Sequence, residues 1–385
     1  MSSAPSPPPP DRAQDARRAR WPRFAGAAPL LAVVQCGTSE PTADGTRFPP
    51  TAPVPAAAAA SRLVLVDVDA DPLGLGDHPG ALFVFDPATS GLSLLHSSAA
   101  LVDPVDVIAT PDGALLVLDG RLEGGRGAIV RIEPDGRTHE LPLPPALVDP
   151  TRFAHAPDGS LWIADRGVQL PDGGGPGALW RLEPDLRTIT CLAAGAPLEV
   201  PTAICFDAEA AWLLDADAFR KELGDYAEGG LFRAAHDGTG FREAARLALV
   251  SPYSLAPLQD GRFLVADVNA DPKVRTRFCG GLYAVARDGT HELYAWSRDF
   301  RDPTDACPDG AAIWVTDGSS DPLRLGDDGT GKGFAGHGCG ALYRVDPATR
   351  AVALAHASPW FRNLTRVRRI AGGPVAQALP TEGGR

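Results

Sequence analysis

One stretch of the chain decides the fold: residues 150–165 read PTRFAHAPDGSLWIAD. It joins two short apolar runs through a Pro-Asp-Gly turn, and the second run ends in an aspartate. Two such runs around a short glycine-containing turn are typical of a β-hairpin. Similar runs recur at intervals of about fifty residues along the chain. Their final residues are Asp67, Asp119, Asp165, Asp215, Asp267 and Asp317.

Each repeat contains two further runs. A loop of variable length follows the aspartate, and a string that opens with glycine comes next, such as GALWRL from Gly177 or GALYRV from Gly340. A turn and a last apolar run complete the unit, which is therefore a four-stranded antiparallel meander. Because a unit of this size cannot bury both of its faces, it must stack on its neighbours.

Six such units predict an all-β fold, a six-bladed β-propeller of four-stranded antiparallel blades over residues 61–372. We label the strands of each blade A to D from the axis outward. An opening segment that begins with proline precedes five of the six aspartate-ending runs, but not the first. Residues 364–373, LTRVRRIAGG, have the shape of the opening segment at 150–159. They are expected to supply strand A of the first blade and so close the ring, leaving residues 373–385 as a tail.

Residues 1–60 differ in composition from the repeats. Ser/Pro-rich and Pro/Ala-rich segments surround an arginine-rich stretch at 17–23 and an apolar run at 24–34. This arrangement is typical of a secretory signal. We therefore expect a disordered leader and an exported protein, periplasmic, envelope-associated or extracellular; a cytosolic protein with a disordered leader is the alternative. Cys36 resembles a lipid-attachment cysteine, although Gln35 stands where such signals have a small residue.

Composition and charge restrict the secondary structure and the kind of partner that can be expected. With 42 Gly and 38 Pro among 385 residues, long helices are disfavoured. The 36 basic and 48 acidic residues give a net charge of −12, which argues against nucleic acid and favours cationic ligands. No run after the leader is long enough to span a bilayer, and a closed ring is expected to be a monomer.

The unit Pro-Asp-Gly-x-Leu-x-[Val/Ile]-Ala-Asp, followed by a loop and Gly-x-[Leu/Ile]-aromatic, resembles the NHL-type six-bladed propellers. Their superfamily includes gluconolactonase-like and strictosidine-synthase-like proteins. The resemblance implies the architecture, since this scaffold carries binders, lactonases, lyases and synthases. Gluconolactonase-like enzymes hold a catalytic divalent metal at the axis through Glu, Asn and Asp near the strand A starts. The matching positions here have no carboxylate or amide: Val105, Thr151, Thr202, Tyr253, Thr304 and Thr365.

The next position of strand A is richer in charge. In ring order its residues are Asp106, Arg152, Ala203, Ser254, Asp305 and Arg366. They are expected to form ion pairs between blades at the mouth of the channel. Alternatively, Arg152 and Arg366 bind a carboxylate or phosphate of a ligand. The predicted ligand-binding residues are Asp106, Arg152, Tyr253, Asp305 and Arg366, with His78 and His337 from the loops before strand C.

Two loops after strand B suggest calcium. Asp67, Asp69 and Asp71 in the first unit, and Asp267, Asn269 and Asp271 in the fifth, follow the pattern Asp-x-[Asp/Asn]-x-Asp. Oxygen ligands at alternate positions suit Ca²⁺. The alternative is an aspartate-rich turn held by its own hydrogen bonds. The aspartate that ends every strand B has a simpler interpretation, as a cap for loop amides.

Two functions follow as hypotheses. The first is an exported propeller that binds a small ligand, a peptide or a partner protein on its acidic, loop-rich top face, with or without Ca²⁺. The alternative is a divalent-metal-dependent hydrolase or lyase, lactonase-like or esterase-like. The sequence has no Gly-x-Ser-x-Gly motif and indicates no nucleotide or organic cofactor.

Overall fold

The computed structural model describes most of the chain after residue 61. The described residues are 62–75, 80–120, 126–141, 147–167, 176–219, 228–270, 280–323, 340–370, 376–377 and 379. They form six four-stranded antiparallel sheets. The prediction of an all-β, six-bladed propeller is confirmed. The predicted leader at 1–60, with Cys36, lies outside the described residues.

The blades follow one another along the chain, and each contains four strands in the order A to D. Blade 1 contains β24 (Leu364–Ile370), β1 (Arg62–Asp67), β2 (Ala81–Asp86) and β3 (Gly91–Ser97). Blade 2 contains β4 (Pro104–Ala109), β5 (Leu115–Asp119), β6 (Ala128–Ile132) and β7 (Thr138–Glu140). Blade 3 contains β8 (Pro150–His155), β9 (Leu161–Asp165), β10 (Ala178–Leu182) and β11 (Ile189–Ala194).

The second half of the ring repeats the arrangement. Blade 4 contains β12 (Pro201–Phe206), β13 (Ala211–Phe219), β14 (Glu228–Ala234) and β15 (Arg242–Leu247). Blade 5 contains β16 (Ala256–Pro257), β17 (Phe263–Asp267), β18 (Gly281–Val285) and β19 (His291–Ala295). Blade 6 contains β20 (Pro303–Pro308), β21 (Ile313–Asp317), β22 (Ala341–Val345) and β23 (Val352–Ala357).

The ring closes through the first blade, as the sequence predicted. Strand β24 pairs with β1 from Arg62 opposite Ile370 to Asp67 opposite Leu364. Beyond β24 the chain returns to the outer strand of the same blade, where Gln377 exchanges two backbone hydrogen bonds with Leu94. Both edges of blade 1 are thus paired with this distant part of the chain. The first blade therefore depends on the C-terminal segment for its completion.

A bulge recurs where strand A meets strand B. In blades 1, 2, 3, 4 and 6 the register shifts at the second residue of strand A, which has no partner in strand B. A bulge re-aims the side chain at that position. In blades 3, 4 and 6 this residue is a threonine that donates to a backbone carbonyl of the next blade, at or shortly before the start of its strand A. The pairs are Thr151 to Pro201, Thr202 to Pro252 and Thr304 to Leu364, at 2.8–3.0 Å.

A glycine before or at the start of strand C lies against the next blade. A Cβ on Gly177 would be 2.3 Å from Cδ of Pro201, and a Cβ on Gly127 would be 2.2 Å from that of Pro150. Such distances are shorter than any real contact, so only glycine lets the two blades approach this closely. The glycine of one unit and the proline of the next are therefore a matched pair.

The core consists of apolar layers between neighbouring blades. Between blades 5 and 6, for example, Leu264, Phe300, Val315 and Tyr343 pack into one cluster with little or no exposure. Phe300 meets the ring of Tyr343 edge-to-face at 5.2 Å. Because these layers surround the axis, the axis itself is left to the polar residues of the A strands.

Candidate functional site

The loops between strands B and C share one face of the ring, the top, with the connections from strand D to the next strand A. The undescribed internal segments are mostly in these B-to-C loops, at 76–79, 121–125, 168–175, 220–227, 271–279 and 324–339. His78, His337 and Asp271 therefore lie outside the described residues. The remaining top-face residues still define the inner edge of this face.

The aspartates predicted to end the B strands are fully buried in all six blades. Five of them are the last residue of the strand, whereas β13 continues past Asp215 to Phe219. Asp165 accepts hydrogen bonds from the backbone N–H groups of Val148, Asp149 and Gly167 at 2.8–3.0 Å. The equivalent carboxylates bind the two backbone amides before strand A of their own blade in the same way. The interpretation of these residues as amide caps is confirmed. Burial raises the pKa of Asp67 and Asp317 to about 7.

One side chain before strand A is the centre of an acidic cluster at the axis. We call Asp69, Asp103, Asp149, Arg166 and Tyr253 the axial mouth. Burial, together with the charges of Asp119, Asp149 and Asp69, raises the pKa of Asp103 to about 7. Among the described residues no N–H or O–H group donates to its carboxylate. A part-buried carboxyl group that titrates near neutrality is typical of a functional site.

The only basic member of the axial mouth is already engaged. Arg166 donates to Asp149 at 2.8 Å through side chains that are 22% and 30% exposed. Its guanidinium also interacts electrostatically with Tyr253 and Asp103, which places it between blades 3, 2 and 5. Three carboxylates thus face one guanidinium, so the described mouth carries an excess of negative charge.

Polar pairs within single blades surround this mouth. Asn363 donates to Asp69 at 3.1 Å, and Asn269 donates to Ser251 at 3.2 Å. In blade 6 the hydroxyl of Ser319 donates to Asp302. Each pair joins a residue just after strand B to one just before strand A of the same blade, and so holds the top ends of these two strands together.

The charged ring predicted from strand A forms ion pairs, but with other partners than expected. Arg152 Nη2 donates to Asp305 Oδ1 at 2.9 Å across the axis, from blade 3 to blade 6. The order of the ring predicts Arg366 as the neighbour of Asp305. Arg366 instead donates to three backbone carbonyls, those of Thr304, Thr365 and Thr151, and its guanidinium lies 5.3 Å from the ring of Tyr253.

Asp106 also differs from the expectation. Its carboxylate accepts two hydrogen bonds from Arg368, at 2.9 and 2.6 Å, rather than contacting Arg152 or Arg366. It accepts a third, at 2.9 Å, from the backbone N–H of Phe153 in the next blade. All six residues of the ring are buried, Arg152 and Arg366 to 2% exposure, so they lie inside the channel and not at its mouth.

The predicted calcium ligands already have partners. Asp67 and Asp267 are backbone caps, Asp69 accepts from Asn363, and Asn269 donates to Ser251. Asp71 accepts from the backbone N–H of Leu75 at 2.7 Å. Within the described ranges no three His, Cys, Asp or Glu side chains are grouped as metal ligands. A Ca²⁺ site that includes the undescribed parts of these loops remains a prediction.

The opposite face has a groove of about 450 Å³ between blades 5 and 6. Arg262 and Arg350 at its rim both pair with Glu292, at 3.0 and 3.2 Å, and Arg350 lies over the ring of Tyr294 at 4.9 Å. The charges there are matched to each other.

Comparison with known proteins gives the architecture. No family model matches the chain, and no curated protein does. A propeller from a nidogen/laminin complex is 12% identical, covers 81% of this chain and 99% of its own, and has a TM-score of 0.54. A protein of unknown function from Bacteroides caccae is 14% identical with the same coverage and a TM-score of 0.51. A protein described as a candidate gluconolactonase is 16% identical over 61% of this chain and 77% of its own, with a TM-score of 0.43.

The two likenesses with TM-scores above 0.5 show the fold alone. The chain has the six-bladed architecture of the NHL-type propellers, as the resemblance implied. Within the part of the chain that the structure describes, no helix is of the length and hydropathy needed to cross a membrane.

Sequence reasoning missed three residues of the axial mouth: Asp103, Asp149 and Arg166. A signal was present, because Asp103, Asp149 and Asp302 each directly precede the proline that opens strand A. That position recurs near the axis on the top face. It lies three residues before the position of the charged ring predicted from strand A. Arg368 was missed because the charged ring was predicted from one position of each strand A. Arg368 lies two residues beyond Arg366 and therefore on the same side of β24.

Proposed function

We propose that the protein binds a ligand with a cationic group at the axial mouth. The observation that carries this proposal is Asp103, a carboxyl group that no described donor contacts and whose pKa is raised to about 7 by burial and by three neighbouring aspartates. A cation placed there would offset the burial and the repulsion between carboxylates that together raise the pKa of Asp103. It would also gain from a field that a concave, partly desolvated site concentrates.

The mouth favours a cation with hydrogen-bond donors. Asp149 already has a partner in Arg166, and Asp69 has one in Asn363, so Asp103 is the carboxylate of the mouth that accepts from no described donor. An ammonium or guanidinium group can donate to it while Asp69 and Asp149 supply further negative charge. The ligand is thus a small organic cation, or a lysine or arginine side chain presented by a peptide or a partner protein.

Calorimetry with the full chain tests this. Arginine, spermidine and a short lysine-rich peptide are titrated at pH 7 into the wild type and Asp103→Asn, with Ca²⁺ as a separate titrant. Because binding should deprotonate Asp103, the observed heat should change with the ionisation enthalpy of the buffer, and this change should vanish in the variant. Asp135→Asn removes one carboxylate from an exposed turn on the other face and is the matched control.

Weaker binding by about tenfold or more in Asp103→Asn, with Asp135→Asn like the wild type, supports the proposal. Equal binding by both variants, or no binding of any organic cation, contradicts it. Binding of Ca²⁺ alone would favour the calcium prediction for the top-face loops instead. Ca²⁺ bound by Asp69, Asp71 and Asn269 with the undescribed loop residues would raise the thermal stability by mass action.

Two other predictions are kept as proposals with their own tests. Export, proposed from residues 17–34, is tested by fractionating cells that express the full chain. The alternative of a divalent-metal-dependent hydrolase or lyase is tested with a panel of lactones and esters, with and without added Ca²⁺. Turnover that depends on the metal and on Asp103 would replace the binding proposal.

A further inference from the structure

The channel below the axial mouth contains an imbalance of charge. Asp106 is matched by Arg368 through two hydrogen bonds. The remaining charged residues of the ring are Arg152, Arg366 and Asp305, each no more than 2% exposed. Two guanidinium groups thus share one carboxylate inside the propeller. A buried charge that lacks a counter-charge is costly, because little water is present to solvate it.

Both guanidinium groups also have a nitrogen without a partner. Arg152 uses Nη2 for Asp305, and its Nη1 is buried with no hydrogen-bond acceptor among the described residues. Arg366 uses Nη1 and Nη2 for backbone carbonyls, and its Nε is likewise buried and unsatisfied. Buried N–H groups of this kind are nearly always satisfied in folded proteins, by protein, water or an ion.

The two arginines lie close to each other. Arg366 donates to the carbonyl of Thr151, the residue before Arg152, and to that of Thr304, the residue before Asp305. The guanidinium of Arg366, which comes from blade 1, therefore contacts blades 3 and 6, the two blades that the Arg152 side chain connects. Burial, together with the charge of Arg152, lowers the pKa of Arg366 to about 10. An anion between them would remove this repulsion and accept from both free N–H groups.

We infer that the channel holds a small monovalent anion, of the size of chloride, between Nη1 of Arg152 and Nε of Arg366. The site differs from the axial mouth in taking the opposite charge, although Arg366 contacts the ring of Tyr253, a residue of the mouth. Asp305 and Asp106 face the same channel. Arg368 balances Asp106, and Asp305 balances only one of the two remaining arginines, so Arg152 and Arg366 together carry a net positive charge. A small anion fits better than a large one because every residue of the ring is buried.

The test uses thermal unfolding of the full chain in sodium bromide and in sodium methanesulfonate at equal ionic strength. Bromide has a radius close to that of chloride, whereas methanesulfonate is too large for a buried site of this kind. The melting temperature of the wild type should rise steadily with each tenfold increase in bromide above its dissociation constant. It should not rise in the same way with methanesulfonate.

Two variants separate this site from general salt effects. Arg366→Met removes one guanidinium and leaves Arg152 balanced by Asp305, so the response to bromide should be lost. Arg152→Lys keeps a charge for Asp305 but has no second nitrogen, so the response should move to higher bromide concentration. Arg137→Met removes the same charge from a side chain that is 80% exposed and should respond like the wild type.

Crystals of the wild type grown in bromide provide a readout that does not depend on a variant folding. An anomalous peak within hydrogen-bond distance of both free nitrogens is the expected result. A melting temperature with the same dependence on both salts, or an axis that contains water and no anomalous peak, overturns the inference.

Discussion

Arg152 and Asp305 form a hydrogen-bonded ion pair of 2.9 Å across the centre of the ring, although 153 residues separate them in the chain. They belong to blades 3 and 6, which face each other, so the pair ties opposite sides of the propeller together. Asp305 Oδ2 also accepts from the backbone N–H of Val367 in blade 1. Three of the six blades thus meet at one carboxylate.

Removing one partner of this pair should destabilise the fold. Arg152→Met leaves Asp305 as a buried charge without its ion-pair partner, which typically costs about 3–5 kcal/mol. Urea unfolding of the two proteins checks this through the midpoint and slope. The double variant Arg152→Met/Asp305→Asn should recover part of the loss, because it no longer buries the charge. A single variant as stable as the wild type would show that the pair contributes nothing.

The threonine contacts between blades give a second prediction. Thr202→Val removes the hydroxyl that donates to Pro252 and leaves that acceptor buried, at a cost of about 1–3 kcal/mol. Steric strain is not expected, since Val105 occupies the equivalent position in blade 2. The free energy of unfolding in urea is the measurement. Thr188→Val in an exposed turn is the control and should change it by less than about 0.5 kcal/mol.

Truncation should distinguish ring closure from a passive tail. A chain that stops after Asn363 lacks β24 and exposes the edge of β1, so it should fail to give a cooperative unfolding transition. A chain that stops after Ile370 keeps β24 and loses the pairing of Gln377 with Leu94 and the packing of Ala376 and Leu379 on the core, so it should unfold cooperatively at a lower temperature. Circular dichroism during heating compares them. Equal transitions for both would contradict the dependence of blade 1 on β24.

The buried aspartates predict an unusual pH dependence. The pKa is raised to about 7 in Asp67, Asp103 and Asp317, against about 3.9 in an unfolded chain. Between these values the folded protein binds more protons, so the free energy of unfolding should fall as pH rises from about 5 to about 7. One pKa unit corresponds to about 1.4 kcal/mol, and we expect a total decrease of at least about 1 kcal/mol.

Other carboxylates determine the pH below which the folded protein loses stability in acid. The pKa of Asp112 is lowered to about 2 by its hydrogen bonds with Thr110 and Arg131, so the stability that it contributes is lost below about pH 4. Urea midpoints at intervals of pH should therefore have a maximum near pH 5. In Asp103→Asn, the decrease of the urea midpoint between about pH 5 and about pH 7 should be smaller than in the wild type. A maximum at or above pH 7 would be inconsistent with neutral aspartates in the folded state.

The fold could be predicted because its rules are local and repeated. The aspartate-ending runs, the glycine strings and the prolines recur at matching positions, and even the displaced strand at Leu364 has the pattern of its counterparts. The order of blades then follows from the order of units, since consecutive units are neighbours in space.

The interior of the channel could not be predicted in the same way. The sequence indicates which residues point to the axis, but not which of them meet, because an arginine is long enough to pass its neighbour and reach the opposite blade. Arg152 therefore pairs with Asp305 rather than with Asp106. Arg366 finds backbone carbonyls, which no side-chain pattern reveals. Long side chains at the centre of a ring have several partners within reach.

The pairing of β1 with β24 has a consequence for synthesis in the cell. Asp67 and Arg362, which contact each other in the finished ring, are 295 residues apart. At roughly 5–20 residues per second, a ribosome needs on the order of 15 to 60 s between them. Throughout that interval the apolar edge of β1 has emerged without its partner. A nascent chain of this design therefore depends on a holding chaperone, or on provisional pairing of β1, until residue 370 has left the exit tunnel.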